Sequence, residues 1–261
     1  MGATRRRLAI TERDLVALAF AAEHRFVTAA QISVLLGATV AAADARLRVL
    51  ADAGLVERDR PLAGRPALHQ VTRAGLRAAG SDLGPPRPVD LSEHDHDHGL
   101  GWLMLHAVKG RFGPVRSVTG ERRMRSQDAR ARTGAVSARH GVRRGGVGAR
   151  GHQRLHHPDM TLVTAGGRRV AFELERTTKG RVRLEAILSA YAADRRIDAV
   201  VYLVERASTA RAVRTAATRL GIDDLVSVWT VRLDPGPDRR GLVASGARAR
   251  ARSLPARGRA L

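Results

Sequence analysis

"HHPDMTLVTAGGRRVAFELERTTK", His156 to Lys179, is the stretch on which the reading of this chain turns. Met160 to Thr164 and Val170 to Glu175 have the apolar, β-branched character of buried strands, and "AGGR" between them supplies a turn. Three carboxylates, Asp159, Glu173 and Glu175, lie at the edges of these strands. Burying an acid is costly unless it finds a partner, so the acids must bind something. Residues two apart in a strand point to one face, which sets Glu173 and Glu175 together and turns Phe172 and Leu174 the other way. Both acids then approach Asp159 across the hairpin. Three like charges so placed repel without a cation, and Mg²⁺ takes hard oxygen ligands of this kind.

Outward from this hairpin, the pattern predicts a helix from Ser92 to about Lys109 and a strand near Val115 to Val118, followed by a basic irregular region. Beyond the hairpin come a helix over Arg181 to Ala193, a strand at 198–205, a helix from Ser208 to Leu220 and a strand at 225–231. Pro158-Asp159 entering one strand and Glu173-Leu174-Glu175 ending the next, within an α-β-β-β-α-β order, resemble the PD-(D/E)xK nuclease fold. The resemblance implies that Asp159 and Glu173 are Mg²⁺ ligands. It places the catalytic lysine where this chain has Glu175, a departure that some restriction endonucleases of the fold share while still cutting. Lys179, one of only two lysines in the chain, is the candidate to replace it as the group that orients water. The competing reading is a fold that has lost its activity, with the acids paired to Arg168, Arg169 or Arg176. Tyr191 and Glu185 fall on the helix after the motif, Tyr191 as a packing residue with its hydroxyl at the site edge.

The first eighty residues read differently. Thr11 with Asp14 and Thr28 with Gln31 form capping-box patterns, Gly37 closes the second helix, and a third starts at Thr39. Val40, Leu47, Val49 and Leu50 give that third helix its apolar side. Two short strands around "RPLAGRP" and a helix capped by Thr72 follow. This order, with "RLRVLADAGLVERD" and "HQVTRAGLRAAG", looks like the winged helix-turn-helix regulators of bacteria. On that resemblance the third helix enters the major groove, with Thr39, Arg46 and Arg48 on it, and the wing residues Arg60 and Arg65 lie against the backbone or minor groove. The expected organisation is a winged helix at 8–80, a proline-rich linker at 81–91 and a PD-(D/E)xK-like domain at 92–235. A basic Gly/Arg-rich insertion occupies about 126–156 and a basic disordered tail 236–261. The fold class is α/β (α+β).

With the winged helix in front, "PDM…FELERTTK…Y" is similar to the replication-relaxation proteins of plasmids and mobile elements. That likeness implies a DNA-binding protein in replication, relaxation or mobilisation, with plasmid replication or transfer proteins as partners. The alternatives are a Mg²⁺-dependent endonuclease and a winged-helix transcriptional regulator. A homodimer is compatible with this reading, although no coiled-coil seam is visible.

Composition agrees with a polyanionic partner. The 261 residues carry 46 Lys+Arg against 25 Asp+Glu, a formal net charge of +21, and DNA is the expected ligand. Arg143 and Arg144, in the insertion just ahead of Asp159, are candidates to clamp a phosphate backbone. Cysteine is absent, which excludes disulfides and thiolate metal sites and accords with a cytoplasmic location. No apolar run is long enough to span a bilayer, so no membrane partner is expected. His94 and His98 are spaced to share a metal on a helix but lack a second pair of ligands, leaving a polar first helical turn as the simpler account.

Overall fold

The computed structural model describes residues 9–133, 139–147, 153–177, 179–232 and 243–244. The chain is mixed α/β and divides into two compact units, Met1–Gly101 and Trp102–Leu261.

In the first unit α1 (Glu12–Glu23), α2 (Ala29–Leu36) and α3 (Val40–Asp52) are each started by a threonine. The side chains of Thr11 and Thr28 cap the third backbone N–H of their helices, and Asp14 and Gln31 return the bond to the cap. Gly37 ends α2 at φ 62°, the left-handed conformation that favours glycine. Leu18, Phe26, Ile32, Leu47, Leu50 and Leu68 form the core. The apolar side of α3 is Ala43, Leu47 and Leu50; Val40 and Val49, expected on it, face out at 50% and 38% exposure. A 3.6-residue period sets Val49 off the stripe that Leu47 and Leu50 occupy.

β1 (Val56–Asp59) and β2 (Leu68–Val71) pair antiparallel, and the other edge of β2 bridges to Val27 through His69. Thr72 caps α4 (Arg73–Ala78), and a Cβ on Gly75 would lie 2.0 Å from the Leu55 carbonyl oxygen. The Thr-x-x-Gly pattern is therefore a packing requirement: only glycine lets α4 lie on the entry to β1. The proline-rich stretch packs on this unit: Leu83 is buried and Gln70 Nε2 donates to the Arg87 carbonyl at 2.9 Å. The division between units falls within α5 (His94–Val108), at Gly101/Trp102, and not in 81–91.

The second unit is built on a sheet of order β10-β9-β8-β7-β6-β3. Its strands are β3 (Val115–Gly120), β6 (Met160–Thr164), β7 (Arg169–Glu175), β8 (Ala199–Val204), β9 (Val226–Arg232) and β10 (Val243–Ala244). β3, β6 and β7 are antiparallel neighbours, whereas β7, β8 and β9 run parallel, joined by α7 (Arg181–Ala193) and α8 (Ala207–Arg219) as crossovers. "AVVYLV" is buried along its whole length because β8 is central. Ala171, Leu184, Leu188, Tyr191, Tyr202 and Val213 form the core on the α7/α8 face.

Two expectations are corrected. The region after β3 is not irregular: α6 (Glu121–Thr133) follows β3 directly, and β4 (Val142–Val147) pairs antiparallel with β5 (Gln153–His156). Few but fully buried anchors hold these elements, Met124 and Asp128 one turn apart on α6 and Val142 on β4. The tail is not wholly without structure either, since Val243 and Ala244 pair with Arg232 and Val231. The rest of 236–261 lies outside the described residues.

Candidate functional site

Register brings the acids together. Met160 opposes Phe172, so Asp159, one residue before β6, comes beside the end of β7. There its Oδ2 accepts the Leu174 backbone N–H at 2.6 Å. Glu173 and Glu175 share the α7/α8 face of β7 and are 2% and 5% exposed. Glu175 is in contact with the Lys179 ammonium. On Glu173, Oε1 accepts two bonds, from His156 Nε2 at 2.7 Å and from the Tyr191 hydroxyl. Tyr191 is fully buried and its ring meets that of His156 edge-on. The partner of Glu173 across the parallel β7/β8 pair is Tyr202, whose buried hydroxyl has no partner among the described residues.

The electrostatics follow from this crowding. Burial pushes the Glu175 carboxyl above its ordinary range; Lys179 opposes that, and the charges of Glu173 and Asp159 add to it. For His156, burial disfavours the charged ring, but Glu173 and Asp159 outweigh it and hold the imidazole above its usual value. Burial, reinforced by Glu173, raises the Tyr191 phenol far above its usual value, and burial with the same acids does so for Tyr202.

Each acid thus has a donor from its own chain. Among the described residues no three His, Asp or Glu side chains converge as a set that could hold a metal ion. Glu173 Oε1 and Asp159 Oδ2 are each taken by donors of the chain, so a Mg²⁺ shared by these two acids would have to use their other oxygens or displace those donors. Of the arginines expected on the acids, Arg176 pairs with Glu205 and the Arg169 guanidinium donates to the Arg139 carbonyl.

His156, Tyr202 and Asp128 were not legible as site residues. Asp128, fully buried, accepts the backbone N–H groups of Arg139 (2.7 Å), His140 (3.1 Å) and Gly141 (2.7 Å), and His157 Nε2 at 3.0 Å. Burial would raise its carboxyl, but these four donors prevail and hold it low. The loop entering β4 and the residue after β5 are thereby fastened to the middle of α6. Only the pair His156-His157 immediately before Pro158-Asp159 hinted at this.

In the first unit, Thr39 caps α3 through the Ala42 N–H. Arg46 points inward: its Nε donates to Asp14 Oδ1 at 2.6 Å, and Asp14 is 2% exposed. Arg48 is exposed and paired with Asp44 one turn earlier. Arg60 and Arg65 are exposed at either end of the β1/β2 connection. In β4, Arg143 is exposed and Arg144 half-buried. His94 is buried and stacked on Phe26 at 5.3 Å and on His98 at 6.1 Å, so both histidines serve as ring partners in the first unit. Glu185 pairs with Arg219. No helix of the described residues is long and apolar enough to cross a membrane. The chain matches no family model, no curated protein and no solved structure.

Proposed function

We propose that this chain is a DNA-binding protein in which a winged helix-turn-helix precedes a PD-(D/E)xK-type domain whose acid cluster supports a binding platform and does not cut. The order of three helices, a two-stranded ladder and a fourth helix supports the first part of that reading. The mixed sheet with Asp159 and Glu173 side by side supports the second. More narrowly, the protein acts in the cytoplasm on a plasmid or integrated element, in its replication, relaxation or mobilisation, with the element's own replication or transfer proteins.

The observation that carries binding over cutting is the commitment of Glu173, whose Oε1 takes both His156 and Tyr191 in a buried site. A phosphodiester-cleaving centre needs its carboxylates open to cation and substrate. The test pairs two assays on the full chain: DNA affinity across a salt series, and nicking of supercoiled plasmid with Mg²⁺ or Mn²⁺. Binding that weakens steeply with salt, and no nicking, is expected. Nicking by the wild type that Asp159→Asn or Glu173→Gln abolishes would establish an endonuclease instead.

A further inference from the structure

The positive charge is not spread over the chain. Residues 1–101 carry 13 Lys+Arg and 12 Asp+Glu, a net +1; residues 102–261 carry 33 and 13, a net +20. The three-helix unit is thus close to neutral, and two arginines of α3 are already engaged, Arg46 with Asp14 and Arg48 with Asp44. The outward side of α3 offers Val40 and Val49 at 50% and 38% exposure. Such a helix has little with which to neutralise phosphates.

In the second unit the described residues of 121–157 hold nine arginines against two acids, Glu121 and Asp128. Asp128 is withdrawn from the surface, fully buried among four donors. It also makes a single body of the arginine-bearing elements, because it ties the root of the β4–β5 hairpin to α6. Met124 and Asp128 point inward, whereas Arg125, paired with Glu121 one turn earlier as Arg48 is with Asp44, and Arg130 are exposed on α6 and Arg143 and Arg154 on the hairpin. The joint is tight at Gly141, where a Cβ would stand 3.0 Å from both the His157 ring and Leu155 and both would have to give.

This body borders the acid cluster on two sides. The first residue of α6 donates its backbone N–H to the Asp159 carbonyl at 3.0 Å, and the last residue of β5, His156, bonds Glu173. We infer that α6 and the β4–β5 hairpin, clasped by Asp128, form the surface that takes the phosphodiester backbone of DNA, alongside the acids, and that the three-helix unit contributes little to backbone affinity. Guanidinium groups suit the task, since their planar fork meets two phosphate oxygens at once. The inference rests on the DNA-binding reading above and moves its main contact from the first unit to the second.

The experiment uses the full chain and a fluorescently labelled DNA duplex, titrated by anisotropy over a range of salt. The triple variant Arg125→Gln, Arg143→Gln, Arg154→Gln removes three exposed charges. It should bind at least about tenfold more weakly, with a slope of log affinity against log salt shallower by about 2 to 3. A matched triple in the first unit, Arg48→Gln, Arg60→Gln, Arg65→Gln, should change affinity by less than about twofold. Circular dichroism confirms that both variants are folded. Wild-type affinity in the first triple, or the larger loss in the second, overturns the assignment of the surface. A wild-type protein with no affinity for duplex at low salt overturns the DNA-binding reading itself.

Discussion

Asp14→Asn isolates the one strongly shifted carboxylate of the first unit. Arg46 donates to Asp14 Oδ1 at 2.6 Å, and Thr11 gives Oδ2 both its backbone N–H and its hydroxyl at 2.7 Å. The hydrogen bond from Arg46, outweighing burial and aided by Thr11, lowers the carboxyl from 3.8 to about 2. A folded-state pKa below the unfolded one stabilises the protein above the unfolded value, and that stability is lost as pH falls through the folded pKa, here over roughly pH 4 to 2. At about 1.4 kcal/mol per unit the shift is worth roughly 2.4 kcal/mol, and about 2 after allowing for the 35% exposure of Arg46. Both tryptophans, Trp102 and Trp229, belong to the second unit, Trp102 as its first residue, so their fluorescence does not follow the first unit alone. Amide hydrogen exchange in α1 and α3 does, and a loss of about 2 kcal/mol should speed it by roughly 30-fold at neutral pH. Arg46→Gln should do nearly the same while leaving DNA affinity in place. Unchanged exchange in both variants, or a fall in affinity for Arg46→Gln with exchange unaltered, would refute the reasoning and return Arg46 to the DNA surface.

Two further outcomes are expected. His69 is fully buried with both ring nitrogens unpartnered among the described residues, and burial with nearby Arg58 lowers it to about 4. Stability is then present above the unfolded value near 6.5 and lost as pH falls toward 4, so wild type should lose about 2 kcal/mol more than His69→Leu between pH 7.5 and 5; equal losses by hydrogen exchange of the first unit would sink the idea. Asp128→Ala orphans three backbone N–H groups and His157 and should cost the second unit about 3 to 5 kcal/mol in urea denaturation followed by tryptophan emission, whereas a cost under about 1 kcal/mol would mean that the hairpin is held on α6 by something else.

What was readable beforehand had short-range causes. Thr11, Thr28 and Thr72 announce their helices because a cap is a contact between residues three apart. The strands around Glu173 show by their apolar runs, and Glu173 and Glu175 share a face by the alternation of any strand. α6 escaped notice because its inward face is one methionine and one aspartate, Met124 and Asp128, among arginines, so no apolar period exists to detect. Arg46 read as a groove contact because its partner Asp14 lies 32 positions away in sequence. His156 was equally opaque: its bond to Glu173 depends on where β5 ends, which no local pattern sets. Net charge raised the expectation of a polyanionic partner; its concentration in one unit emerged only once the boundary was placed at Gly101.

The two faces of β7 give the second unit an optical handle. Phe172 lies immediately before Glu173 on the opposite face, and its ring packs tilted on Phe112 at 4.8 Å and edge-on against Trp229 at 6.3 Å. Just after Glu173 the backbone is held from the acid side, by Asp159 on the Leu174 N–H. That N–H belongs to the peptide after Glu173, one unit beyond those that flank Phe172, and the half-buried Trp229 indole packs on the Phe172 ring. Substituting phenylalanine at Trp102 leaves Trp229 as the sole tryptophan, so its emission reports on the packing around Phe172, on the face of β7 opposite the acids.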